Sequence, residues 1–237
     1  MRLSAPIFRL KRQARLLARE AGLPLHAALD RIAGDEGFRS WSHLAARFSE
    51  RSTASTILAE LKPGDLMLLA ARPGQGKTLL GLALAVEAAR AGRPGFFFTL
   101  DWSEGDVLQH LRSIGTDPKS LGGSFVLDTS DDIRADHITA CLGGAPRGGL
   151  AVVDYLQLLD QRRCNPELGA QMTALSAFAR ASGSILVMIS QIDRRFDLQA
   201  KALPDLSDVR LPNPLDLGLF TKSCFLHDGA VRLEAVA

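Results

Sequence analysis

Apolar positions along this chain follow two regimes. From residue 6 to 48 they recur at helical spacing. Ile7, Leu10, Ala14 and Leu17 share one face, and Arg9, Arg12, Arg15 and Arg19 lie mostly on others. Gly22-Leu-Pro24 breaks that helix, and a second is predicted from Leu25 to Ile32. Ser40 is placed to cap a third, with Trp41, Leu44 and Phe48 on its inner face. The polar stretch Ser49–Ser55 reads as a linker.

After Lys62-Pro-Gly-Asp the period changes. Strand-length apolar runs occupy Leu66–Ala70, Gly95–Leu100, Ser124–Leu127, Leu150–Asp154 and Ser184–Ser190. Each is apolar at nearly every position, the pattern of a parallel strand buried on both faces. Helical stretches over 77–91, 104–113, 131–141 and 168–182 separate them. Strands alternating with helices predict a doubly wound α/β fold with a mainly parallel sheet. The tail, Leu217–Leu226 and Ala230–Ala235 around His227-Asp228-Gly229, reads as a hairpin.

Composition adds a class and an asymmetry. With 237 residues, 46% hydrophobic and 23% charged, the chain has material for one large domain and a small appendage. The net charge is only +2. Residues 1–52, however, carry ten Lys/Arg against five Asp/Glu, while the remainder carries eighteen against twenty-one. The basic excess belongs to the N-terminal segment. Cys141, Cys164 and Cys224 are far apart, and no CxxC or Cys/His ligand spacing is read between them. Neither zinc nor a disulfide framework is expected, and a reducing cytoplasm fits best. No apolar run is long enough to span a bilayer, and the basic N-terminus lacks the apolar core of a secretory signal.

The chemistry concentrates in Ala71-Arg72-Pro73-Gly74-Gln75-Gly76-Lys77-Thr78. A strand, a small-residue turn and a helix N-terminus aim backbone N–H groups and the positive end of a helix dipole at one point. Gly74 and Gly76 allow close backbone approach to phosphate. Lys77 is placed for the β/γ-phosphates of ATP, and the Thr78 hydroxyl for Mg2+. The motif's first Gly is Ala71 here. An ordinary Gly-rich turn is the competing reading, but Gly-Lys-Thr falls at the right junction. Leu150-Ala-Val-Val-Asp154 ends a buried strand in a carboxylate, the arrangement that completes a magnesium shell. Phe96-Phe-Phe-Thr-Leu-Asp101 ends the next strand after the P-loop in an acid. Asp101 is either a base for the attacking water or an N-cap for the helix starting near Ser103. Gln191, after Ile189-Ser190, is either a γ-phosphate sensor or a plain strand terminus.

Three of these stretches together resemble the C-terminal ATPase domain of DnaB-type hexameric replicative helicases, within the RecA-like group. The resemblance covers roughly 55–237 and rests on Ala70-Ala-Arg-Pro-Gly-Gln-Gly-Lys-Thr78, Val152-Val-Asp-Tyr-Leu-Gln-Leu-Leu159 and Ile189-Ser-Gln-Ile-Asp-Arg194. Leu206-Ser-Asp-Val-Arg210 is similar to a short segment downstream of that family's sensor. Helical spacing and the basic excess set apart a small basic helical module over 1–50, and the resemblance implies a RecA-like P-loop ATPase domain over 55–237. It implies ATP and Mg2+ as cofactors, Lys77, Asp101, Asp154 and Gln191 as catalytic residues, and a homo-oligomer. Single-stranded DNA would contact the loops holding Arg162, Arg163, Arg194 and Arg195, whose alternative is solvated surface charge.

Two departures favour a second reading, an accessory or regulatory nucleotide-binding protein that hydrolyses slowly and does not unwind. The family carries Glu where Asp101 stands. It also carries a Lys-x-Arg stretch before Asn-Gly that supplies an arginine finger, where Lys222-Ser-Cys-Phe-Leu-His-Asp-Gly229 keeps a Lys and lacks the Arg. A third reading, a RecA- or KaiC-like signalling or recombination ATPase, fits the Asp-Tyr-Leu-Gln sequence less well.

Overall fold

The computed structural model describes residues 4, 5, 7–48, 53–144, 148–156, 159, 165–193, 195, 196, 201, 203–211 and 213–236. The backbone divides into two compact units, Met1–Thr53 with Asp228–Ala230, and Ala54–His227 with Val231–Ala237.

The first unit holds three helices, α1 (Ile7–Glu20), α2 (Leu25–Asp35) and α3 (Trp41–Phe48). Leu10, Ala33, Phe38 and Leu44 form its core, with Ile7, Ile32 and Trp41 packed against them. Arg12, Arg15 and Arg19 are exposed, as the amphipathic spacing predicts. Ser40 caps α3, its hydroxyl accepting from the His43 N–H at 3.2 Å, and the Trp41 N–H donates to Asp30 at 2.8 Å. The side chain of Phe48 lies outside the described residues, as do residues 49–52 of the expected linker. The rest of that linker is helical: α4 (Thr53–Glu60) starts inside it, because Ala54 and Ile57 are buried in the second unit's core.

That unit continues with β1 (Leu66–Ala71), α5 (Lys77–Arg90), β2 (Gly95–Thr99), α6 (Glu104–Ser113), β3 (Phe125–Asp128), α7 (Ala135–Gly143), β4 (Leu150–Asp154), α8 (Leu168–Ser182), β5 (Ile185–Gln191), β6 (Lys222–His227) and β7 (Ala230–Ala235). The strands form one seven-stranded sheet in the order β3-β2-β4-β5-β1-β6-β7. β1 pairs in parallel with β5 and β6, β2 with β3 and β4, and β4 with β5. Asp228 (φ 49°) and Gly229 (φ 78°) make the left-handed turn that the β6–β7 hairpin needs. The sheet is thus mostly parallel with a hairpin at one edge, the α/β class that the apolar runs predict.

Alternation along β1 shows how the layers arise. Leu66, Leu68 and Ala70 point into a core with Ile138 and Leu142 of α7 and Leu168, Met172, Leu175 and Ala179 of α8. Met67, Leu69 and Ala71 point the other way, to Leu82, Ala85, Val86 and Ala88 of α5 and Val107 and Leu111 of α6. Each buried Leu, Val or Ile contributes about 1.5–3 kcal/mol relative to exposure. A parallel sheet covered on both faces leaves one usable rim, the C-terminal ends of its strands.

Candidate functional site

At that rim β1 ends in Ala71 and the chain turns through 72–76 into α5. Gly74 and Gly76 have φ of 79° and 84°, and a Cβ at either would meet nothing within 4 Å. Glycine is therefore required by conformation, and the space over the turn is open. Gly76 stands at the N-cap of α5 with no side-chain cap. The first N–H groups of α5 are left for a ligand, the arrangement that receives phosphate. Lys77 and Thr78 are half-buried in that first turn, Arg72 and Gln75 are half-buried in the loop, and Pro73 is exposed.

β5 separates β1 from β4, so Gln191 sits directly beside Ala71 and Asp154 one strand further on. Asp154 is fully buried, and neither carboxylate oxygen has a hydrogen-bond partner. Burial pushes its carboxyl up to about 6; the Lys77 charge and nearby Thr78 hydroxyl pull it down, and the Asp101 charge adds to the rise. Lys77, Thr78 and Asp101 are therefore close enough to act on Asp154. A buried, orphaned carboxylate beside a hydroxyl and an ammonium, under an open anion cradle, fits a hard dication bridging to phosphate. Thr78 and Asp154 are the residues that would hold Mg2+.

Asp101 is exposed, and its N–H donates to Thr99 at 3.2 Å. It does not cap α6. Ser103 does, in a capping box with Asp106, which removes the competing role. The segment after Gln191 returns to it. The Arg210 N–H donates to the Gln191 carbonyl at 2.8 Å, Ile192 bridges Val209, and Lys201 ties Asp205 (2.7 Å) to Asp208 (3.1 Å). Leu206–Asp208 is a short 3-10 turn held in that network. The loop beyond Asp154 is pinned by buried Gln171, which donates to the Leu159 carbonyl at 2.6 Å and accepts from the Ala135 N–H at 3.0 Å. Of the four loop arginines, Arg162, Arg163 and Arg194 lie outside the described residues. Arg195 is exposed, with its N–H on Asp193 at 2.8 Å.

Two features escape the sequence reading. His227, the last residue of β6, follows Leu226, which lies opposite Ala71; its Nδ1 is buried without a partner and its ring meets Phe196 edge-on at 5.9 Å. The second concerns one of the cysteines. Asp128, His137 and Cys141 converge with ligand atoms within 4.8 Å of one another. Their signal was a His and a Cys four apart on α7, one turn of one helical face. Burial and the Asp128 charge push the Cys141 thiol up. For Asp128 burial acts upward, but hydrogen bonds from Ser130 and His137 outweigh it and hold the carboxyl low.

The family model for the KaiC ATPase matches residues 56–140, which include the P-loop. The replicative DNA helicase DnaB of Leifsonia xyli subsp. xyli is 28% identical over 63% of this chain and 40% of its own length. That of Mycoplasma genitalium is 27% identical over 63% and 39%. A probable plasmid replicative DNA helicase of Chlamydia muridarum is 26% identical over 70% and 43%. The chain spans about 40% of the length of the curated relatives it matches. In structure it is similar to a DnaB-like replicative helicase studied with primase (TM-score 0.56, 15% identity, 92% of this chain and 66% of that one). It is also similar to a KaiC-like protein of Pyrococcus horikoshii OT3 (TM-score 0.51, 16% identity, 70% and 74%). No helix among the described residues is long and apolar enough to cross a membrane. The α/β unit of this chain is a RecA-like P-loop domain related to the ATPase domains of DnaB-type helicases.

Proposed function

We propose that this chain binds ATP with Mg2+ at the P-loop, hydrolyses it, and acts on or near single-stranded DNA in the cytoplasm as part of a homo-oligomer. The observation that carries the reading is Asp154: a fully buried carboxylate that makes no hydrogen bond of normal geometry, with the Thr78 hydroxyl and the Lys77 charge near enough to favour its ionised form. Leaving a charge so placed costs stability, and a magnesium–phosphate ligand is what repays it. In this reading the backbone of 72–76 and Lys77 hold the β/γ-phosphates, and Thr78 and Asp154 hold the ion. Mg2+ supplies charge neutralisation on the phosphates when bound. Asp101 orients or deprotonates the attacking water, and Gln191 reports the γ-phosphate to the 206–210 segment that its carbonyl anchors. Relatedness to replicative helicases supports single-stranded DNA as the partner, with Arg162, Arg163, Arg194 and Arg195 as phosphate contacts.

The accessory reading, slow hydrolysis without unwinding, rests on a specific observation. Asp101 is a methylene shorter than the family's Glu and has no role as a cap to explain it. ATP turnover measured with and without single-stranded DNA, beside the mass in solution, separates the two. DNA-stimulated turnover by an oligomer supports the motor; slow turnover indifferent to DNA supports the accessory protein. Lys77→Ala removes nucleotide affinity on either reading, and unchanged affinity in a folded Lys77→Ala protein overturns both.

A further inference from the structure

Asp128 closes β3, the strand at one edge of the sheet, and His137 and Cys141 lie one turn apart on α7. The His137 Nε2 and Asp128 Oδ2 are 2.6 Å apart, and Cys141 Sγ lies 3.7 Å from the same Nε2. From Asp128, Oδ1 accepts from the Ser130 N–H at 2.8 Å, and the Phe98 ring meets the imidazole edge-on at 6.2 Å. The side chains of His137 and Asp128 keep 29% and 17% of their surface, so solvent reaches the cluster. We infer that Asp128, His137 and Cys141 form a zinc site, with the three side chains as ligands and water in the fourth position.

The geometry separates this from a proton relay. A cysteine–histidine–carboxylate relay uses both ring nitrogens, one for the thiol and the other for the carboxylate. Here thiol and carboxylate both face Nε2, which is the convergence a metal needs. Tetrahedral zinc with bonds of about 2.0–2.3 Å sets its ligand atoms roughly 3.3–3.7 Å apart. The sulfur–nitrogen edge already has that length. The oxygen–nitrogen edge is shorter because a proton lies in it. On binding, that proton moves from Nε2 to Nδ1, the thiol proton leaves to solvent, and the edge opens by under about 1 Å. Thiolate, imidazole and carboxylate together match zinc rather than magnesium or calcium. The row Asp128–Phe98–Val153 places this site about 10 Å across the sheet from the end of β4, so it does not rest on the nucleotide site. Its effect is to clamp an edge strand to its neighbouring helix.

The test uses the full chain after chelator treatment. Zinc titrated calorimetrically should bind with one equivalent per chain, and cobalt should give a thiolate charge-transfer band in the near ultraviolet. Both should be lost in His137→Gln and in Cys141→Ser, and kept in Cys164→Ser and Asp154→Asn. Zinc at a hundredfold excess over its Kd should raise Tm by roughly 5–10 °C. Asp128→Asn, nearly isosteric, should weaken binding and keeps the test open if the α7 substitutions unfold the chain. Absence of the thiolate band in the parent chain, or its survival in Cys141→Ser, overturns the assignment.

Discussion

Asp154 is where single-residue physics is most exposed. Its carboxyl rises from 3.8 in the unfolded chain to about 6 in the native state. The native state therefore binds that proton more tightly, and its advantage is complete below about pH 4. As pH rises through 6 the advantage is lost, at a cost of about 3 kcal/mol by pH 8. Without nucleotide or magnesium, Asp154→Asn should be more stable than the parent at pH 8 by roughly 2–3 kcal/mol. The gap should shrink toward pH 5, as thermal melts at the two pH values would show. Adding Mg2+ and ATP should reverse the order, since only the carboxylate holds the ion. An identical gap at pH 5 and pH 8 would assign the difference to packing instead. Asp101 makes the complementary case. It sits in the open with no capping duty, close enough for its charge to reach Asp154. If it is a base set back by one methylene, Asp101→Glu should raise turnover by about 10–100-fold, and Asp101→Asn should remove what remains. Equal turnover in all three would leave Asp101 without a part in the reaction.

Elements transmit these positions, and α5 transmits most. Gly95 opens β2 beneath it, and a Cβ there would stand 2.1 Å from the Ala85 carbonyl oxygen. That neighbour is helix backbone, which cannot swing aside as a side-chain tip would. Gly95→Ala should destabilise the domain by about 3 kcal/mol and lower Tm by roughly 5–10 °C. It should also weaken ATP binding, because the P-loop is the leading end of the same helix. A Tm within 1–2 °C of the parent, the order expected of a neutral surface change, would mean that α5 does not pack as closely as this. β1, β2, β4 and β5 were legible because burial on both faces makes each a continuous apolar run, and β4 begins and ends where the sequence placed it; β3 reads as apolar too, but it lies at the sheet edge, only partly buried and with Val126 exposed. α7 starts at Ala135 rather than 131, since 129–134 is spent turning from β3 with Ile133 buried on the way. α4 was hidden because only Ala54 and Ile57 mark its inner face. The order of strands was not legible at all. Parallel pairing joins segments more than a hundred residues apart, as β1 does with β5 and β6, and leaves no local trace. Thus the P-loop and the strand-end acids could be read from sequence, while their meeting, and that of Asp128 with His137 and Cys141, could not.

At the scale of the molecule two questions remain physical ones: what the basic helices do, and whether the site is completed by a neighbour. The excess of Lys/Arg in 1–52 is carried in part by exposed Arg12, Arg15 and Arg19 on α1. If that face meets phosphates, removing residues 1–50 should leave ATP binding intact, weaken DNA binding and flatten its salt dependence by about one unit of slope per lost contact. An unaltered slope would point to a protein partner. The second question turns on the hairpin. It brings Lys222 to the start of β6, opposite Met67 and far from the P-loop rim of its own chain, so it does not serve that chain's own nucleotide site. Lysine is a point charge on a flexible stem and cannot grip a phosphate in the two-pronged way of arginine. An arginine finger is worth about three to five orders of magnitude in turnover. The chain alone should therefore hydrolyse ATP slowly and separate little duplex, whatever ring it forms. A strand-displacement assay on forked DNA, run with ATP and with mass measured in parallel, decides the matter. Lys222→Arg is not expected to rescue it, because the other departure, Asp101, would still hold hydrolysis back. Processive unwinding by a stable hexamer of the parent chain would show that another cation, such as Arg180, Arg210 or Arg232, takes the finger's place, and would overturn the accessory reading in favour of the motor.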